Sequence, residues 1–177
     1  MTDSEKKPRK RLGPVVSSAH LVSENAAELS EFEFGLIIAN NAFSRWTVRC
    51  MAAAGVPDLS PLDVLVLHSI THRARAKKLA DISFVLNVED THTVVYSLKK
   101  LTRLELIEGT RKGKEKFFSA TAAGKAACER YRRVREKCLV RALHAMGVEN
   151  SEIGAAASLL RALSGLYDQA ARAAASL

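Results

Sequence analysis

The stretch from Ser60 to Thr121 constrains this chain most. Ser60 followed by Pro61 and Asp63 has the pattern of a capping box, with proline at the first helical position. Leu62, Val64, Leu65, Val66, Leu67 and Ile70 then read as a helix buried on almost every side. A shorter helix is expected over 77–86, with Leu79, Ile82, Val85 and Leu86 turned inward. After the turn Asn87-Val88-Glu89-Asp90, Asp90 suits the N-cap of a third helix from Thr91 to Leu104. In that helix Val94, Leu98 and Leu101 share one face. Leu106-Ile107-Glu108 and Phe117-Phe118-Ser119 read as two short paired strands, and Lys112-Gly113 supplies the turn between them.

Three helices followed by a basic hairpin is the order of a winged helix-turn-helix. The fold class is therefore mainly α (α+β), with a two- or three-stranded wing and dimerisation helices at both ends. The outer face of the third helix carries hydrogen-bonding, aromatic and basic groups, which suit a DNA major groove. Thr91, His92, Thr93, Val95, Tyr96 and Lys99 are the candidate DNA-reading residues there. Arg111, Lys112, Lys114 and Lys116 crowd the tip of the wing. Four cations on a tight turn repel one another unless an anion lies against them, so they are the candidate phosphate contacts. The bland alternative is an ordinary solvated hairpin.

The flanks read as a frame. Residues 1–16 hold Pro8, Pro14 and five cations with almost nothing to bury, the composition of a disordered basic tail. Such a tail is either a solubilising segment or an arm that adds DNA contacts. Residues 17–58 contain a helix over about 30–54. Its Phe32, Leu36, Ala39, Phe43, Trp46 and Cys50 recur at spacings of 4, 3, 4, 3 and 4. Phe34, Ile37, Ile38 and Val48 add apolar surface off that stripe, and Gly55 and Pro57 stop the helix. A helix apolar on several sides needs cover from beyond its own domain, and a second copy of the chain would provide it. The winged domain occupies 59–120. Residues 121–177 hold two more helices, 121–146 and 151–175. The first carries Ala127, Tyr131, Val134, Cys138 and Ala142 on one face, and the second carries Ile153, Ala157, Leu160, Leu163 and Tyr167.

Charge follows this division. The net charge of +8 is spread as +3 over 1–14, −3 over 15–59, +4 over 60–120, +5 over 121–147 and −1 over 148–177. A basic unit beside a slightly acidic frame is the footprint of a phosphate-binding protein. No apolar run reaches the roughly 20 residues that span a bilayer, and the first residues lack the apolar core of a signal peptide. A cytoplasmic location without membrane contact is the expectation. Cys50, Cys128 and Cys138 form no CxxC pattern, which argues against a disulfide framework and a zinc site. They are either half-buried thiols in a reducing compartment or a redox switch. The chain contains no GxSxG, P-loop or HExxH motif, so neither catalytic residues nor a cofactor are assigned. His68 and His72 lie four apart on a helix, a chelating spacing, but no third ligand stands beside them. They either pack the helix or flank a crevice where an imidazole orients a phenol or carboxylate. Phe43, Trp46 and Thr47 either line the same crevice or belong to the core.

The chain resembles the MarR family of transcriptional regulators over about residues 28–175. The resemblance is carried by Leu79-Ala80-Asp81-Ile82, by Val94-Val95-Tyr96-Ser97-Leu98-Lys99-Lys100-Leu101, by Leu106-Ile107 and by Ser119-Ala120-Thr121-Ala122-Ala123-Gly124. Glu105 stands where the family usually has glycine, Tyr96 where it often has arginine, and the wing lacks the common Asp-Arg pair. The resemblance implies a homodimer on a pseudo-palindromic double-stranded operator, acting as a ligand-responsive repressor released by a small aromatic or phenolic effector. The alternatives from other classes are a winged-helix protein-interaction module without specific DNA binding and a thiol-based redox-sensing regulator.

Overall fold

The computed structural model describes residues 13–177; most of the basic tail lies outside them. The elements run α1 (Ala27–Ala53), α2 (Pro61–Thr71), α3 (Leu79–Leu86), α4 (Thr91–Arg103), β1 (Ile107–Lys112), β2 (Glu115–Ala120), α5 (Ala122–Arg135), α6 (Arg141–Ala145) and α7 (Asn150–Ala174). The core lies where α1 ends and where α2, α4, β1 and α5 meet. Met51, Val64, Val66, Leu67, Ile70, Ile82, Val94, Leu101, Ile107 and Ala127 are all buried there. Each large aliphatic among them contributes about 1.5–3 kcal/mol relative to an exposed position.

Local chemistry sets each boundary. The capping box at α2 is complete: Ser60 N–H donates to Asp63 Oδ2 (2.8 Å), and Asp63 N–H donates to Ser60 Oγ (3.2 Å). Asp90 caps α4 by accepting from the His92 N–H at 2.9 Å. The α3–α4 turn passes through Asn87 at φ 51°, a left-handed position that asparagine tolerates. Glu105 is also left-handed, at φ 56°, which gives a physical reason for glycine at that place. Gly124 is held for another reason. A Cβ there would stand 2.0 Å from the Leu106 carbonyl oxygen, so α5 can begin against the α4–β1 junction only with glycine.

Several sequence expectations need correction. The second helix begins at Leu79, not at 77, because Lys77 pairs with Phe118 instead. Its N–H donates to the Phe118 carbonyl (2.9 Å) and its carbonyl accepts from Phe118 N–H (2.8 Å), a one-residue third strand for the wing. The Lys77 ammonium is buried and donates to the carbonyls of Ile70 (3.2 Å) and His72 (2.6 Å), closing the C-terminal end of α2. Val85 is exposed rather than inward. Leu79, Ile82, Ser83 and Leu86 fill one arc of α3, and Val85 lies outside that arc. The wing strands are longer than three residues each. Lys112 pairs with Glu115, which moves the two-residue loop to Gly113-Lys114, with Gly113 at φ 62°. The helix after the wing continues through residue 145, but Glu136–Val140 form a π-helical turn. Along the apolar stripe Ala127 and Tyr131 are buried, while Cys138 and Ala142 are exposed in a stretch where no described residue from 135 onward is buried.

The frame helices bury little within one chain. On α1, Leu36, Ile37, Ile38 and Phe43 are exposed. On α7, Ile153, Leu159, Leu160 and Leu166 are exposed, and no described residue of that helix is buried. Tyr167 Oη donates to Glu33 Oε1 across α7 and α1 at 3.1 Å.

Candidate nucleic-acid interface

The Asp90 cap fixes the first turn of α4 with Thr91, His92 and Thr93 all exposed. The Thr93 hydroxyl donates back to the Asp90 carbonyl at 2.6 Å, which orients it and leaves its lone pairs outward. One turn on, Tyr96 is 71% exposed, with Lys99 Nζ 5.8 Å from its ring centroid. Val95 is half-buried beside them. On the opposite side Val94, Leu98 and Leu101 are buried, as the helical period required.

The orientation of α4 is fixed from below. Asp63 on α2 accepts a hydrogen bond from Lys100 Nζ at 2.9 Å and one from the Ser97 side chain. Lys100 also donates to the Asp58 carbonyl. Burial alone would push the Asp63 carboxyl up, but the hydrogen bonds from Ser97, Lys100 and Ser60 outweigh it, so its pKa lies below the ordinary value.

The wing stands beside α4. Arg111, Lys112, Lys114 and Lys116 are all exposed. Strand alternation sends Arg111 and Lys116 to the face of Phe118, and Lys112 to that of Phe117. Lys112 Nζ lies 5.7 Å from the Phe117 ring centroid and Lys116 Nζ 5.2 Å from that of Phe118. Between α4 and the wing runs an open groove of about 760 Å³. Its floor is Leu79, Ala80, Val95, Leu98 and Phe118; its rim carries Lys78, Lys99, Arg103, Lys116 and Glu115. Of the candidate residues, Val95 and Lys99 of the helix and Lys116 of the wing line this cationic channel; Thr91, His92, Thr93, Tyr96, Arg111, Lys112 and Lys114 lie outside its lining. Lys78 was not among the sequence candidates. Lys77-Lys78 is visible as a dipeptide, but which of the two turns outward depends on the bridge to Phe118.

Residues 59–124 match a family model described as a winged helix DNA-binding domain. Among solved structures, a MarR mutant from E. coli complexed with operator DNA is similar at TM-score 0.64 and 19% identity, over 80% of this chain and 99% of that one. CouR from Rhodococcus jostii RHA1, bound to p-coumaroyl-CoA, is similar at TM-score 0.63 and 14% identity, over 75% and 90% of the two chains. A MarR-family transcriptional regulator from Rhodococcus sp. RHA1 gives TM-score 0.64 at 13% identity, over 80% and 96%. This chain has the MarR-family fold. No curated protein sequence matches it.

Within the MarR fold, the five candidate ligand residues do not share one pocket rim. A cavity of about 480 Å³ opens between α2 and α5, lined by His68, Thr71, Lys125, Cys128, Glu129, Tyr131, Arg132 and Arg135. Phe43, Trp46, Thr47 and His72 are not part of its lining. Phe43 is exposed on α1, Trp46 is half-buried against the core, and the Thr47 hydroxyl donates to the Ser44 carbonyl at 2.9 Å. His72 is exposed at the end of α2. The His68 ring meets the Tyr131 ring edge-on at 4.5 Å, and its Nε2 is buried without a hydrogen-bond partner among the described residues. Burial pushes the His68 pKa down and that of Tyr131 up to about 12, so both are neutral near pH 7. Burial also raises the thiol pKa values of Cys50 and Cys128, against the thiolate form that reacts with oxidants. No described helix is long and apolar enough to cross a membrane.

Proposed function

We propose that this protein is a sequence-specific DNA-binding transcriptional regulator that acts as a homodimer on a pseudo-palindromic operator. The observation that carries the reading is the shared channel. The middle and C-terminal turns of α4 and Lys116 of the wing line the same groove, where Lys78, Lys99, Arg103 and Lys116 surround the Glu115 carboxylate. A bare protein-interaction module has no use for that charge pattern, whereas a phosphate backbone does. In this reading Thr91, His92, Thr93, Val95, Tyr96 and Lys99 enter the major groove, and Arg111, Lys112, Lys114 and Lys116 hold the backbone at the wing. The exposed apolar faces of α1 and α7 exceed scattered surface residues and fit a second copy of the chain. The similar fold of the MarR mutant complexed with operator DNA supports the same reading.

The regulator is a repressor released by a small aromatic or phenolic effector. The cavity between α2 and α5 supports an effector site, since His68 Nε2 is a buried polar atom that a phenol or carboxylate would satisfy. The p-coumaroyl-CoA in the CouR structure is a precedent for a phenolic ligand on this fold.

Selection of genomic fragments by the purified protein, followed by affinity measurements on the recovered site and on random duplex at one salt concentration, tests the proposal. His92 lies in the first turn of α4, closest to base edges, so His92→Ala should cost about 1–3 kcal/mol on the selected site and little on random DNA. Equal losses on both, with folding unchanged, would remove α4 from the role of sequence reader.

A further inference from the structure

We propose that Glu115 is an intramolecular competitor for phosphate, a carboxylate that occupies the cationic channel and weakens DNA binding of every sequence. This inference rests on the DNA-binding reading and adds to it a residue that sets affinity. Among the described residues, Glu115 is the only carboxylate on the channel rim, beside Lys78, Lys99, Arg103 and Lys116. Its Oε1 lies 2.6 Å from Lys78 Nζ, and both side chains are solvent-accessible, at 56% and 39%. The Lys78 ammonium also lies 5.3 Å from the centroid of Phe117, whose other neighbour is Lys112. Lys112 and Glu115 are the closing pair of the wing ladder. Glu115 therefore sits between the wing cations and the cation that precedes α3.

A backbone phosphate entering the channel has the same charge and the same preferred partner as Glu115. It can reach Lys78 only by displacing the carboxylate, or by lying beside it against like-charge repulsion. Where Glu115 keeps Lys78 from a phosphate, that phosphate retains its condensed counterion, so the wild type releases one fewer on binding. Glu115 thus lowers affinity in a way blind to base sequence. Replacing it with glutamine keeps the size and polarity and returns Lys78 to the DNA.

The test uses the full chain and a random-sequence duplex, with affinity followed against salt for the wild type, Glu115→Gln, Glu108→Gln and Glu115→Gln combined with Lys78→Gln. Glu108→Gln changes the net charge equally; the Glu108 carboxylate on β1 accepts from Ser119 Oγ at 3.3 Å and is not part of the channel lining. Glu115→Gln should bind on the order of 3- to 10-fold tighter at low salt, with a log–log salt slope steeper by ~0.9, the increment of one phosphate contact. Glu108→Gln should show neither change, and Lys78→Gln should erase the gain. A gain equal to that of Glu108→Gln, or one that survives Lys78→Gln, would reduce the effect to net charge and overturn the proposal. Wild type that binds DNA with Glu115→Gln unchanged would overturn it alone. Loss of salt-dependent DNA binding in every variant and the wild type would overturn the DNA-binding reading as well. Coincident unfolding curves for the four proteins exclude misfolding as the cause.

Discussion

Replacing Asp63 with alanine should loosen the seat of the recognition helix. The side chain does three jobs from a buried position: it completes the α2 capping box, it pairs with Lys100, and it accepts from Ser97 on the underside of α4. Loss of a capping residue costs about 1 kcal/mol. Ser97, 4% exposed, would be left as a buried hydroxyl without its acceptor, at about 1–3 kcal/mol. Lys100 adds less, because it is 31% exposed and keeps the Asp58 carbonyl; a residual cation that can reach water does not incur the full penalty of a broken buried pair. The sum is about 3 kcal/mol, or roughly 6–12 °C in Tm for a chain of this size. Urea unfolding followed by circular dichroism at pH 7 measures it. Asp63→Asn, which keeps the shape and one acceptor, should cost about half as much. The sign with pH follows from the lowered carboxyl pKa. The ordinary value is 3.8. The stabilisation is complete above that value and is lost as pH falls through the lower folded-state value. The difference between wild type and Asp63→Asn should therefore shrink only in that acid window. A loss under about 1 kcal/mol for Asp63→Ala at pH 7 would refute the reasoning from buried partners, and a difference constant through pH 3 would refute the charge term.

Lys112→Ala with Lys114→Ala should weaken binding to specific and random DNA alike and flatten the salt slope by up to ~1.8, two phosphate contacts' worth, in fluorescence anisotropy titrations; loss confined to the selected site would contradict backbone contacts. Dimerisation through α1 and α7 predicts a sedimentation coefficient of a dimer at micromolar concentration, shifted toward monomer or lost to aggregation by Leu160→Glu on α7; a stable, folded wild-type monomer would rule the dimer out.

Much of the winged unit was legible from residue order alone, because its signals are local. Ser60, Pro61 and Asp63 write a cap within four residues, and Asp90 does the same for α4. The i, i+4, i+7 spacing of Val94, Leu98 and Leu101 fixes which side of α4 is buried, and hence that Thr91, His92 and Tyr96 face out. The features that only tertiary structure decided depend on partners far along the chain. Lys77 and Lys78 are adjacent and chemically alike, yet one is buried under α2 and the other is paired with Glu115. What separates them is a backbone bridge to Phe118, more than forty positions later. Val85 has the composition of a core residue but lies off the arc that α2 and α4 cover. Cys138 continues an apolar stripe on paper, yet it is exposed, because no element of the described chain covers the helices from residue 135 onward. His68 and the aromatic residues of α1 share a chemistry that invites one pocket, but the cavity beside His68 is built from α5 instead. Periodicity records how a helix is cut into faces; which neighbour covers each face is set by packing, and that information is spread over the whole chain.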